Sequence, residues 1–168
     1  MKNQQTAKRQ IDVYLDKYAE YHQNPANRAI NYFCVPLVLF SIVGFVWSIP
    51  FPHLGFLSSY NGYLNWASFL IAFTIYFYYK LSPLLSYVAL LILFGFSYGV
   101  IQLQEWQKTG GIVLPQICLL TFVFANIAQL IGYRFEGKKP TILYDFQFMF
   151  TGPLWLLSLV LKKIRVKY

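Results

Sequence analysis

The stretch YHQNPANRAINYFCVPLVLFSIVGFVWSI, residues 21–49, changes character part-way along. As far as Asn31 it is rich in polar side chains, and from Tyr32 onward it carries no charge. Asn24 suits a helix N-cap, and Pro25 suits the first helical position, where a missing N–H costs nothing. Asn24, Asn27 and Asn31 then follow three and four residues apart, so a helix carries all three on one face, with Arg28 beside them. The run Ala29–Ile49 falls in the range of about 17–25 residues that a bilayer-crossing helix needs. A polar stripe therefore sits at the mouth of a membrane helix.

Three further runs have crossing length: 63–79, 84–103 and 112–133. The segment between the first and second, PFPHLGFLSSYNG, is full of turn formers. KLSP and EWQKTGG make the next two connections. Ahead of them, residues 8–22 place Ile11, Tyr14, Leu15, Tyr18 and His22 on one face and Asp12, Asp16, Lys17 and Glu20 on the other. That amphipathic helix is too short to span and is expected to lie at the membrane interface. The last apolar segment, 141–161, is interrupted by Gly152-Pro153. Proline removes a backbone donor and crowds the preceding turn. The expectation is a broken or re-entrant pair of short helices, with a fifth crossing as the alternative. The fold class is thus all-α: a polytopic membrane helix bundle in one domain over 1–168. It has four spans, an N-terminal interfacial helix and a broken C-terminal helix pair.

Composition agrees with a chain partly solvated by lipid. Of 168 residues, 57% are hydrophobic and 12% charged, against roughly 45–50% and 25% in ordinary soluble domains. The N-terminal decapeptide MKNQQTAKRQ lacks an apolar core, so no secretory signal is expected. The net charge is +8, and the bases gather at the chain ends and at 134–139. Anionic lipid headgroups are the expected partner. Nucleic acid is not, because no basic stripe interleaved with exposed aromatics is present. Lys and Arg near the run ends place both termini in the cytoplasm, since Lys108 alone marks the other side. Cys34 and Cys118 fall at different depths and are expected to remain thiols. His53, in the loop on the far side, has no potential ligand near it in the sequence.

A second polar stripe ends the fourth run: Asn126, Gln129, Tyr133 and Glu136, spaced three, four and three, followed by Arg134, Lys138 and Lys139. Polar groups facing hydrocarbon are costly, so both stripes should face the bundle interior or a wet pocket. Facing each other, they allow Glu136 to pair with Arg28 or Lys139, with His22 closing the same pocket. Two readings follow: a hydrogen-bonded clasp between helix ends, or a headgroup or metal site.

YHQNPANRAINYFCVP followed by QLIGYRFEGKKPTIL resembles the 2-hydroxy fatty acid dioxygenase family, small multi-span membrane proteins of phytosphingosine metabolism. Tyr21, His22, Asn24, Pro25, Asn27 and Ile30 match its first motif, and Gln129, Gly132, Glu136 and Pro140 its second. Asn31 and Tyr133 stand where the family has histidine. The resemblance implies an iron(II)-dependent enzyme of fatty acid alpha-oxidation that uses molecular oxygen to remove one carbon from a 2-hydroxy fatty acid. It implies His22 and Glu136 as catalytic residues, and His22 and Tyr133 as metal ligands. Asn24, Asn27, Arg28, Asn31 and Gln129 form the polar cluster, and Arg134, Lys138 and Lys139 receive the carboxylate or a headgroup. The two substitutions keep a second expectation open: a non-enzymatic member, a lipid-binding or structural membrane bundle.

Overall fold

The computed structural model describes residues 8–56, 64–137 and 142–166, the side chains of 142–148 excepted. Six helices follow in order: α1 Gln10–Glu20, α2 Pro25–Trp47, α3 Trp66–Leu81, α4 Pro83–Lys108, α5 Leu114–Glu136 and α6 Ile142–Lys163. No strand occurs among the described residues.

Local chemistry explains most of the boundaries. Asn24 Oδ1 accepts the Ala26 N–H at 2.9 Å, and Pro25 opens α2. Asn65 caps α3 through a reciprocal box with Ser68. Pro83 and Pro115 stand in the first turns of α4 and α5. Gly137 closes α5 at φ 66°, a left-handed position that glycine adopts without a Cβ penalty.

α2, α4 and α5 have 23, 26 and 23 residues and are long and apolar enough to cross a membrane. Four such helices were expected. α3 falls short, because the Asn65 box starts it late and leaves 16 residues, about 24 Å at 1.5 Å per residue against a hydrocarbon core of about 30 Å. Phe33, Phe73, Leu91, Leu120 and Phe124 are each more than half exposed on the outer faces. Apolar surface on that scale suits lipid as solvent, and the chain reads as an integral membrane protein.

α2 and α5 form the most extensive helix pair and run antiparallel. Small side chains let them approach: a Cβ built on Gly44 would lie 2.5 Å from Cys118 Sγ, and one on Gly132 2.5 Å from Asn27 Oδ1. Close backbone approach through small residues is how helices associate where lipid removes the hydrophobic drive. Cys34 and Cys118 are both buried thiols.

One expectation is corrected. The C-terminal segment is not a broken pair: α6 is one helix that runs through Pro153. Proline removes the N–H that would bond the Met149 carbonyl, and at the next residue Tyr78 Oη, from α3, donates to the Phe150 carbonyl at 2.8 Å. Gly152 makes room for the Tyr18 ring, whose hydroxyl would lie 3.1 Å from a Cβ at that position. Residues 151–155 are all buried, so α6 is a core helix rather than a surface one. The apolar face of α1 is turned to protein. Ile11, Leu15 and Tyr18 share a cluster with Leu154, Trp155, Leu157 and Leu161 of α6.

Candidate functional site: a polar junction where α2 begins and α5 ends

The start of α2 presents backbone N–H groups without helical acceptors, and the end of α5 presents carbonyls without donors. The two ends cap each other. Glu136 Oε1 accepts the Gln23 N–H at 2.7 Å, and Oε2 accepts the Asn24 N–H at 2.9 Å. Asn24 Nδ2 returns a hydrogen bond to the Phe135 carbonyl at 3.2 Å. A carboxylate at a helix N-terminus is also favoured by the helix dipole.

An amide relay continues inward. Asn27 Nδ2 donates to Glu136 Oε2 at 3.2 Å and to the Tyr21 carbonyl at 3.0 Å. Asn31 Nδ2 donates to Asn27 Oδ1 and to the Asn27 carbonyl, each at 2.9 Å. Gln129 Nε2 donates to Asn31 Oδ1 at 3.0 Å. Asn27 and Asn31 are fully buried. Gly132, without a side chain, leaves the space that Asn27 Oδ1 enters.

His22 stands beside the relay, fully buried. Its ring lies parallel to Tyr18 at 4.1 Å, with Trp155 at 5.7 Å and Tyr133 edge-on at 5.9 Å. Nδ1 is 2.8 Å from the Tyr18 carbonyl. A carbonyl only accepts, so Nδ1 carries the proton, and in the neutral ring Nε2 keeps its lone pair. Burial lowers the His22 pKa, opposed by the Tyr18 carbonyl and Glu136 and assisted by Arg28.

The structure thus brings His22, Asn24, Asn27, Asn31, Gln129, Tyr133 and Glu136 to one junction. Arg28 does not pair with Glu136. Its Nε donates to the His22 carbonyl at 2.6 Å, because Glu136 is drawn under the N-terminus of α2. Asn126, at the far end of the second stripe, donates back to Phe122 O on its own helix. Arg134 is exposed at the end of α5, and Lys138 and Lys139 lie outside the described residues. His53 is exposed in the loop after α2. Sequence reasoning missed Trp155 and Gly152. Both lie in the segment expected to be broken, and no local pattern connects them to His22.

A family model described as 2-hydroxy-palmitic acid dioxygenase Mpo1-like matches residues 9–164. The chain belongs to this family. No curated protein and no solved structure matches it. For a member of the Mpo1-like family, iron is the group to test against the donors present. Non-haem iron(II) oxygenases use a set such as two histidines and a carboxylate with open positions. Among the described residues no three His, Cys, Asp or Glu side chains come together. Glu136 is already engaged by two backbone N–H groups and the Asn27 amide. Both ends of the Asn31 amide are engaged as well. Among the described residues of this Mpo1-like chain, the donors at the junction do not fit iron. What they offer instead is a carboxylate clamp, a buried amide relay, and an imidazole with an acceptor nitrogen walled by three aromatic rings.

Proposed function

We propose that this Mpo1-like protein binds long-chain 2-hydroxy fatty acids at the membrane surface, keeping its family's scaffold and substrate class without the iron chemistry. The observation that carries this reading is the Asn31 amide. At a position where the family resemblance expects a histidine, it is tied to Asn27 and Gln129 at 2.9 and 3.0 Å. The family's name supplies the substrate class. The neutral His22 ring offers an acceptor for a hydroxyl or a carboxylic acid. Arg134, Lys138 and Lys139 supply positive charge for the carboxylate and for anionic headgroups. In this reading the chain is one membrane domain with both ends in the cytoplasm.

The test is paired. Protein purified anaerobically into lipid nanodiscs is assayed for iron per chain and for binding of 2-hydroxypalmitate, then exposed to oxygen. The expected result is saturable binding, no stoichiometric iron, and no oxygen-dependent loss of the acid. Absence of binding would overturn the proposal.

A second reading, the iron(II) dioxygenase of alpha-oxidation, is favoured by one observation. His22, Tyr133 and Glu136 stand at the same helix junction. About one iron per chain, with oxygen-dependent shortening of 2-hydroxypalmitate by one carbon, would establish it in place of the first.

A further inference from the structure

Asn126 opens the second polar stripe, yet it takes no part in the junction that the rest of that stripe builds. It sits on α5, twelve residues after Leu114 and ten before Glu136. At 1.5 Å per residue it is about 18 Å from one end of the helix and about 15 Å from the other. A helix that crosses a hydrocarbon core about 30 Å thick therefore carries this amide near the midplane.

α5 turns Cys118, Ala125 and Gly132 inward, and all three are buried. Cys118 lies against Gly44 and Gly132 against Asn27, so this face belongs to α2. Asn126 stands about 100° round the helix from Ala125 and is partly exposed. Leu119, Phe122 and Leu130 share its strip at spacings of three and four residues, and all three are exposed. An apolar outer strip thus carries one amide near its centre.

That amide is incompletely satisfied. Nδ2 donates to the Phe122 carbonyl at 2.8 Å, which uses one of its two N–H groups. Among the described residues nothing donates to Oδ1. Ser97 of α4 differs, because it gives its only proton to the Leu93 carbonyl. A carboxamide is not silenced by one such bond. The bilayer core holds no water, and acyl chains offer neither donor nor acceptor.

We propose that the strip of α5 formed by Leu119, Phe122, Asn126 and Leu130 is the contact face for a second copy of this chain, with the two Asn126 amides hydrogen-bonded to each other across a two-fold axis. Self-complementarity selects this occupant. The amide has both a donor and an acceptor left over, and an identical amide at the same depth supplies both. Copies of one chain share their orientation in a membrane. A two-fold axis along the membrane normal therefore sets Asn126 against Asn126 of the partner subunit. Such a contact is isologous and closes at two copies. A single amide in an apolar strip also fixes the register, because a slide along α5 leaves both amides in hydrocarbon. The inference is independent of the proposed lipid-acid binding.

The test uses the full chain carrying one fluorophore, reconstituted in liposomes over a range of protein-to-lipid ratios and counted by single-molecule photobleaching. The fraction of two-step traces should rise with density along one dimerisation curve. Asn126→Leu keeps the volume and removes the amide. It should move the curve about tenfold toward higher density, the scale of two interhelical hydrogen bonds. Asn126→Gln keeps an amide and should stay within about threefold of the parent chain. Oxidative crosslinking reports the face. In a chain lacking Cys34 and Cys118, Phe122→Cys and Leu130→Cys should form intermolecular disulfides. Phe124→Cys and Ile131→Cys, at positions also exposed but on the other side of α5, should not. One-step traces at every density would overturn the inference. So would an unchanged curve for Asn126→Leu, or crosslinking as strong at 124 and 131, because the contact would then be non-specific. Should Asn126→Leu not fold, the crosslinking map of chains that retain Asn126 still decides the matter.

Discussion

At the scale of single residues, the amides and the carboxylate of the junction are hydrogen-bonded within the protein, and its imidazole is buried beside them. His22 shows the consequence for pH. Burial lowers its pKa from the ordinary 6.5, so the unfolded chain takes up a proton that the folded chain resists. The sign is then fixed: stability is fully present above about pH 6.5 and declines as pH falls toward the lowered folded value. Thermal unfolding in detergent should show a flat midpoint from pH 8 to 7 and a fall below 6.5. In His22→Gln that fall should be smaller, and an unchanged slope would mean that another group is responsible. A second residue-scale prediction concerns metal. Asn31→His with Tyr133→His places two imidazoles at the junction and dissolves the Asn31–Gln129 link. Iron measured by elemental analysis after anaerobic reconstitution should rise from background toward one per chain, and either substitution alone should bring little. No rise in the double variant would show that more than ligand identity separates this junction from a metal centre.

At the scale of helices, contact between α2 and α5 depends on small side chains rather than on apolar area. Gly44 is the sharpest point, because a methyl there meets Cys118 Sγ. Overpacking a close contact costs about 1–3 kcal/mol. Gly44→Ala should lower stability by that amount, and Cys118→Ala in the same chain should return much of it. Residues in contact couple in this way, whereas distant ones add independently. A strictly additive double variant would mean that the helices do not touch there.

At the scale of the whole molecule, α6 returns along α1. Leu161 shares a cluster with Ile11 and Leu15. Arg9 lowers the Asp12 pKa through a hydrogen bond, and the Lys162 charge contributes to the same shift. The end of α6 therefore packs at the same flank of the bundle as α1. Exposed Val13 and Ile164 are suitable reporters. In sealed vesicles of a chain lacking its two native cysteines, Val13→Cys and Ile164→Cys should react with an impermeant maleimide from the same side. Reaction from opposite sides would require α6 to cross the membrane and would end the model with both ends in the cytoplasm.

The sequence by itself determined the helical class, the Asn24-Pro25 start of α2 and the two polar stripes. Each of these is written in spacing of three and four residues or in the chemistry of a cap, and both are local. The apolar stripe of α1 was legible too, but what covers it was not. Only the tertiary structure decided that α6 covers that stripe, that Trp155 and Tyr18 wall His22, and that Arg28 turns to the His22 carbonyl while Glu136 closes the start of α2. In hydrocarbon every apolar helix face is nearly equally acceptable to lipid, so periodicity cannot say which apolar faces meet. That choice belongs to close fit at Gly44, Gly132 and Gly152 and to hydrogen bonds between distant segments, which exist only once the helices have packed.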